Sequence, residues 1–261
     1  MATYSGTLAR ALRTKILRLL GGEARLAEQI EVHSLEALGA RLYKAQIGDA
    51  DLADRLRVGG IIHDASTEIG NHKFSPNFLL AEWEQVVDAW QLEAWEDYRD
   101  VARLGRRTIL PGAQRQTLWS IFEIVRRELR SRHLVTEAER FSALAKEITK
   151  KSAAIFDYAV IDEAQDISVA HLRFFAALGK DRPNALFFAG DLGQLIFQQP
   201  FSWKSLGVDI RGRSRTLRFT TGHRTRYEPK QTGFLARWSP KSTETQKNEV
   251  KRFLFLTAYH H

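Results

Sequence analysis

The segment Val160-Ile161-Asp162-Glu163-Ala164-Gln165-Asp166 places two adjacent carboxylates directly after an apolar run. That run, Ile155 to Ile161, predicts a buried strand. Carboxylates at the end of such a strand are costly unless a cation or a reaction uses them. A nucleoside triphosphate site uses such a pair, because one carboxylate holds Mg²⁺ and the next orients the attacking water. The segment therefore predicts a sheet with a nucleotide site at its edge.

The residues that would hold the phosphates are not found. No G-x-x-x-x-G-K-[ST] phosphate loop occurs among the 261 residues. The Gly-Lys pair at Gly179-Lys180 is followed by Asp181 and has no glycine at the required earlier position. The sequence therefore carries half of the residues that a triphosphate site needs.

Composition limits the class of protein. The chain is 44% hydrophobic and 27% charged, which is ordinary for a soluble globular protein. It has no apolar run near the roughly 18 residues of a membrane span, and no signal peptide. The lack of cysteine excludes disulfides and thiolate metal sites and favours a cytoplasmic location. The net charge of +8 indicates a polyanionic partner, although more than half of the excess lies beyond residue 220.

A second constellation follows about twenty residues later. The run Ala185 to Ala189 predicts another buried strand, which ends at Gly190-Asp191 and is followed by Gln194. Strand, helix and strand in succession predict an α/β fold, whose ligands bind at the carboxyl ends of the strands. The aromatic residues after this strand can stack on unpaired bases, at roughly 1–3 kcal/mol per base. They are Phe197, Phe201 and Trp203.

The middle of the chain is predicted to be helical. Apolar side chains recur at helical spacing in residues 78–103 and 113–132, and Thr136 begins a further helix. Before them, Gly59-Gly60 and Gly70-Asn71 predict turns. A helical subdomain is therefore expected at residues 60–150, inserted into the α/β part.

These motifs resemble those of a known family. Ile155 to Phe219 resembles the core of a UvrD/Rep-like superfamily 1 DNA helicase. Val160 to Asp166 is similar to helicase motif II, the Walker B element, and Leu186 to Trp203 is similar to motif III. Ala2 to Ser5 resembles motif Ia, and Val32 to Leu35 resembles the next DNA-contacting motif.

The resemblance implies a partial RecA-like P-loop NTPase domain with a parallel sheet and an inserted helical subdomain. Residues 1–59 and 151–219 would form the two parts of the RecA-like domain, on either side of residues 60–150. The family also implies ATP and Mg²⁺ as cofactors and single-stranded DNA as the partner.

The resemblance also implies residue roles. Asp162 would hold Mg²⁺, and Glu163 would be the general base for water attack. Gln165, Asp191 and Gln194 would contact the nucleotide, with Gln194 sensing the γ-phosphate. The expected DNA-binding residues are Thr3, Ser5, His33, Ser34, Phe197, Phe201 and Trp203.

The sequence departs from the family pattern in three places. The phosphate loop before motif Ia is not present, nor is a second RecA-like domain, whose arginine finger is worth about 10³–10⁵ in rate. Thr220 to Arg224 stands where the family carries Asn-Tyr-Arg-Thr-Ser, and a one-base shift of one coding of that string gives this sequence. Residues 220–261 are therefore interpreted as an out-of-frame, poorly ordered tail.

The expected function is a fragment of an ATP-dependent 3′–5′ DNA helicase that is inactive by itself. Two alternatives stay open: a nucleic-acid or protein binding module without hydrolysis, and an ATPase completed by a separate chain. A generic nucleotide hydrolase fragment is disfavoured by the motif III resemblance.

Overall fold

Strands and helices alternate along the chain. The computed structural model describes residues 1–101, 110–151, 153–180, 182, 184–191, 206, 208, 214–220 and 250–258, with the backbone alone at 191, 214–220 and 250–258. The strands are β1 (Ala2–Thr3), β2 (His33–Ser34), β3 (Asp51–Leu52), β4 (Leu134–Val135), β5 (Ala159–Ile161), β6 (Leu186–Asp191), β7 (Ser214–Thr220) and β8 (Val250–Ala258). The α-helices are α1 (Gly6–Leu19), α2 (Ala24–Glu28), α3 (Leu35–Gln46), α4 (Arg55–Ile69), α5 (Pro76–Glu82), α6 (Trp95–Asp100), α7 (Gly112–Ser131), α8 (Glu137–Lys150) and α9 (Val169–Gly179).

The main sheet runs in the order β2-β1-β5-β6-β8-β7 among the described strands. Its first four strands are parallel, with Ala2 opposite both His33 and Ile161, and Ile161 opposite Phe188. β8 pairs antiparallel with β6 and with β7. Parallel strands need crossover connections, and the intervening helices supply them. The predicted α/β fold class with a parallel sheet is confirmed.

The strand expected at Ile155 to Ile161 is shorter than predicted, since β5 covers its last three residues. The apolar run is interrupted by Asp157, and the neighbouring Tyr158 is 74% exposed. Ile155 and Phe156 still pack against the core, although they lie outside the strand. The first half of the run is therefore apolar because its side chains pack against the core, although its backbone does not pair with another of the described strands.

The turn predicted at Gly59-Gly60 is wrong, because α4 runs through both glycines. Asp54 caps this helix by accepting a hydrogen bond from the Arg57 amide at 2.8 Å. The helix is stabilised by one buried face, formed by Val58, Ile61, Ile62 and Ala65. Burial of that face outweighs the low helix propensity of glycine, about 1 kcal/mol per residue. The turn at Gly70-Asn71 is confirmed, with φ of 58° and 51°.

Two hydrophobic cores organise the described chain. The first lies between the sheet and the helices α3, α8 and α9, and contains the fully buried Phe141, Phe174 and Phe188. The second is formed within residues 53–134, mainly by α4, α5, α7 and the π-helical segment Trp83–Asp88. The packing therefore places α8 with the first core, although it was assigned to the helical subdomain. The domain limits at 59, 150 and 219 stay predictions.

The backbone of the tail is described over nine residues, Val250–Ala258, which form β8. These residues lie in a strand rather than in the irregular chain expected for 220–261. The out-of-frame origin of the tail stays a prediction. No helix among the described residues is both long and apolar enough to cross a membrane.

The contact between α3 and α8 gives a test of the first core. A Cβ atom added at Gly39 would lie 2.8 Å from Cζ of Phe141, which is fully buried. Gly39→Ala is therefore expected to lower the free energy of unfolding by about 1–2 kcal/mol, since the closely packed ring must move. Urea denaturation of the full chain measures this change.

Gly60→Ala is the matched control. Gly60 also lies inside a helix, but nothing stands within 4 Å of an added Cβ atom. The substitution is expected to stabilise by about 0.5–1 kcal/mol through helix propensity. Equal stabilisation by both substitutions would contradict the packing of Phe141 on Gly39.

Candidate functional site

The parallel strands bring four chain segments to one edge of the sheet. Thr3 ends β1, Ser34 ends β2, Ile161 ends β5 and Asp191 ends β6. The amide of Asp162 still pairs with β1, donating to the Ala2 carbonyl oxygen at 2.9 Å. The acidic segment that follows therefore begins beside the ends of β1 and β6.

Glu163 occupies an unusual backbone conformation. Its φ of 54° and ψ of 47° lie in the left-handed region, which costs a residue with a side chain about 1–2 kcal/mol. A 3-10 turn, Ala164–Asp166, follows, and the Asp166 amide donates to the Glu163 carbonyl oxygen at 2.9 Å. Such strain persists only where the surroundings fix the chain, and it concentrates at functional sites.

Gln165 fixes this acidic loop, Asp162–Asp166, from inside. Its side-chain amide donates a hydrogen bond to the Glu163 carboxylate, and the residue is 8% exposed. Its Oε1 lies against β6, so that a Cβ atom at Gly190 would stand 2.7 Å from it. The same added atom would stand 3.1 Å from the Ala164 amide nitrogen. Glycine at 190 is therefore what allows the loop to approach β6.

The loop concentrates negative charge. Burial raises the pKa of Asp162 above its ordinary value, the Glu163 amide opposes this rise, and the Glu163 carboxylate adds to it. In the described part of the chain, His, Cys, Asp and Glu side chains nowhere converge in a group of three that could hold a metal. Mg²⁺ is ordinarily bound by one or two carboxylates together with substrate phosphates and water. A carboxylate pair whose charge is partly desolvated fits that kind of binding.

Four of the predicted DNA-contacting residues lie in or just after β1 and β2, where Thr3 is opposite Ser34. Ser5 is exposed and caps α1, its Oγ accepting from the Leu8 amide at 3.1 Å. Ser34 is 8% exposed and caps α3. His33 Nε2 lies 2.9 Å from a Glu31 carboxylate oxygen.

Thr3 does not fit its expected role. Its side chain is fully buried, and its Oγ1 has no hydrogen-bond partner among the described residues. A hydroxyl group with no exposed surface has no access to a DNA strand in this structure. Ala2 and Thr3 are both buried, so both faces of β1 are covered by the rest of the chain.

Tyr4 is the functional candidate that the sequence analysis missed. It directly follows β1, and 57% of it is exposed. Partial burial raises the pKa of its hydroxyl, and the charges of Glu137 and Asp166 add to the rise. Tyr4 is therefore next in sequence to Thr3 and Ser5, and its hydroxyl is close enough to Asp166, at the end of the acidic loop, to be affected by its charge. The sequence signal that could have identified Tyr4 is its position as an aromatic residue directly after the end of a strand.

Four predicted residues, Gln194, Phe197, Phe201 and Trp203, lie outside the described part of the chain, as does the side chain of Asp191. Their roles stay predictions.

A parallel α/β sheet with a strained acidic loop at the carboxyl ends of its strands defines the class as a nucleotide-binding α/β domain. Residues 1–203 match the sequence model of the UvrD/REP helicase N-terminal domain. The chain therefore belongs to the UvrD/REP helicase family, a family of ATP-binding and DNA-binding P-loop NTPases. No curated protein matches the chain.

The charge of Asp162 gives a test of the site. Because burial raises its pKa, the folded state is destabilised at neutral pH and relieved as the pH falls below the raised pKa. Asp162→Asn is therefore expected to raise Tm by a few degrees at pH 7 and by less at pH 4. Calorimetry at both pH values measures the difference.

Asp157→Asn serves as the control for that experiment, because Asp157 is exposed and lies before the other end of β5. It is expected to leave Tm unchanged at both pH values. An identical response of the two variants would show that Asp162 carries no special electrostatic cost.

Proposed function

We propose that this chain is the part of an ATP-dependent 3′–5′ DNA helicase that contacts the metal and the DNA backbone, and that it does not hydrolyse ATP by itself. The observation that carries the proposal is the position of the acidic loop. It lies at the carboxyl ends of the parallel strands, next to the capped starts of α1 and α3.

The acidic loop supports the hydrolytic half of the proposal. In the intact family, Mg²⁺ would neutralise the charge of the triphosphate. Asp162 is the residue that would hold the ion, since its carboxylate is half-buried at the strand end. Glu163 would accept a proton from the attacking water. The hydrogen bond from Gln165 holds the Glu163 carboxylate in one orientation, as a general base requires.

Phosphate binding is the missing half. A phosphate loop supplies several backbone N–H groups and a lysine to the β- and γ-phosphates. The 261 residues contain no such motif. Two acidic side chains repel a triphosphate unless a metal and these donors offset the charge. The chain tested by itself therefore has no means of fixing ATP at the loop.

The DNA half of the proposal rests on β1 and β2. Helices α1 and α3 begin soon after these adjacent strands and are capped by Ser5 and Ser34. The free N–H groups at helix starts attract phosphate oxygens, which would position a strand without reading its sequence. The exposed ring of Tyr4 lies beside them and offers a face for base stacking.

A binding module without hydrolysis is the second candidate, and the exposed Tyr4 at the capped helix starts favours it. An ATPase completed by a separate chain that supplies the phosphate loop is a further form of the first proposal. These candidates differ in whether ATP is bound and whether a partner is required.

ATP hydrolysis tests the first proposal. The purified chain is expected to show no ATPase activity above the rate of Glu163→Gln, with or without single-stranded DNA. The physical reason is that the absent loop and arginine finger each remove orders of magnitude in rate. A coupled phosphate-release assay measures it.

DNA-stimulated hydrolysis by the wild-type chain that disappears in Glu163→Gln would overturn this expectation. It would show that other residues of the chain bind the phosphates.

Single-stranded DNA binding tests the DNA-contacting part of the proposal. Binding is expected to be weak, independent of sequence and strongly salt-dependent. Tyr4→Ala should weaken it roughly fivefold or more, because a stacking contact is lost. Fluorescence anisotropy with a labelled oligonucleotide at two salt concentrations measures both effects.

Tyr158→Ala is the control for this measurement. Tyr158 is 74% exposed but precedes β5, at the opposite end of the strand from the site. Equal losses in the two tyrosine variants would contradict the proposed surface. Binding that survives Tyr4→Ala but disappears on deletion of residues 220–261 would assign it to the basic tail.

A further inference from the structure

A buried histidine lies at the start of α9, five residues after the acidic loop. His171 is the third residue of α9, is 3% exposed and completes a reciprocal cap with Ser168. Its Nδ1 accepts from the Ser168 amide at 3.3 Å, while its own amide donates to Ser168 Oγ at 3.2 Å. Because Nδ1 accepts, the ring proton lies on Nε2, which donates to Glu137 Oε1 at 3.2 Å.

Helix α8 therefore holds the start of α9 by two contacts. One is the hydrogen bond from His171 to Glu137, the first residue of α8. The other is Phe141, whose ring meets the His171 ring edge-on with centroids 4.3 Å apart. The hydrogen bond from His171 holds the pKa of Glu137 below its usual value, so the carboxylate is charged at neutral pH. Such charge-assisted contacts are the stronger kind of hydrogen bond.

The start of α8 is also joined to the second core. Thr136 caps α8, accepting from the Glu139 amide at 3.1 Å, and its hydroxyl donates to Asp88 Oδ1 at 2.6 Å. Gln91 Nε2 donates to the same carboxylate oxygen at 2.8 Å. Asp88 ends the π-helical segment of the second core. Polar contacts thus run from Asp88 through the start of α8 to the start of α9.

We propose that Glu137 and His171 are positioning residues for the acidic loop Asp162–Asp166, and that Asp88 and Thr136 extend this connection to the second core. The loop contains a strained residue, Glu163, and so depends on support from outside. Gln165 and Gly190 hold it on the side of β6. Ser168, held through His171, lies two residues after the loop and anchors the chain where it enters α9.

The proposal rests on the proposed function only for the chemistry of the loop, not for how the loop is held. Its consequence is that the docking of α8 determines the geometry of the two carboxylates. A displacement of the second core would then reach the loop through Thr136 and Glu137.

Hydrogen exchange of the full chain, followed by mass spectrometry, tests the first part. Glu137→Ala is expected to speed exchange of peptides covering residues 162–168 roughly three- to tenfold, because it removes the Glu137 end of the hydrogen bond. Glu137→Gln keeps an acceptor oxygen and is expected to recover most of the protection. Recovery by this variant distinguishes positioning from a general loss of packing.

His171→Gln separates capping from positioning. Glutamine at this place can still accept from the Ser168 amide, as in a capping box, but it is too short to reach Glu137 as well. The loop peptides should therefore exchange faster while the rest of α9 keeps its protection. If the loop peptides of this variant exchange at the wild-type rate, the proposal is overturned. This test does not depend on whether Glu137→Ala folds.

The matched control is Glu147→Ala. Glu147 lies on the same helix, far from His171, and pairs with Lys150 at 2.5 Å on the surface. It is expected to leave loop exchange unchanged. A loop response equal to that of Glu137→Ala would show that any charge lost from α8 has the same effect, and would refute the specific role of Glu137.

Asp88→Ala tests the extension to the second core. It should also speed loop exchange, and its effect should not add to that of Glu137→Ala, because both act on the start of α8. Faster exchange confined to the π-helical segment and α7 would overturn this extension.

A Mn²⁺ titration of the same chain, followed by electron paramagnetic resonance, separates this inference from the proposed function. Mn²⁺ binding that is unchanged in Asp162→Asn, together with a loop response to Glu137→Ala, would refute the metal role of Asp162 and support the positioning. Binding sensitive to Asp162→Asn without that loop response would refute the positioning alone.

Discussion

One hydrogen bond in the sheet, from the Asp162 amide to the Ala2 carbonyl oxygen, determines where the acidic loop can lie. β1 and β2 are each two residues long, so few backbone bonds fix their register. A slip of one residue would turn every side chain to the other face of the sheet. The helices capped by Ser5 and Ser34 secure this register, because no more than two residues separate each helix from the end of its strand. The capped helix starts and the carboxylates are neighbours for that reason.

At this edge of the sheet, the acidic loop has an unfavourable electrostatic energy that packing of the first core does not require. Asp162 is half-buried beside a second carboxylate, and Glu163 adopts a left-handed backbone. A loop selected for stability alone would avoid both features. Gln165 stabilises this loop by donating a hydrogen bond to Glu163. Gly190 leaves the room that the Gln165 side chain needs. Stability given up at one place, with specific support around it, is typical of a site that binds a cation or a reacting molecule.

Local patterns allowed much of this to be predicted from the sequence. Acids after an apolar run predicted the strand end and the loop, and apolar spacing and the cap at Thr136 predicted the helices α7 and α8. The failures concern tertiary contacts. α4 passes through Gly59-Gly60 because its apolar face is buried, and Thr3 is enclosed because both faces of β1 are covered. The hydrogen bond between Glu137 and His171 joins residues 34 positions apart, and no local sequence pattern predicts it.

Helix α8 makes the two cores interdependent. Its capping hydroxyl, on Thr136, bonds a carboxylate of the second core, while Phe141 and Leu144 on its body are fully buried in the first. Separation of the cores would therefore either break the hydrogen bond from Thr136 to Asp88 or expose the apolar face of α8. Both are costly, since a hydrogen bond to a charged group is worth about 1.5–3 kcal/mol and a buried aromatic side chain about 3–5 kcal/mol. The start of α9, which follows the acidic loop, is bonded through His171 to the end of α8 nearest the second core. If this bond positions the loop as proposed, a movement of the helical region changes the position of the two carboxylates.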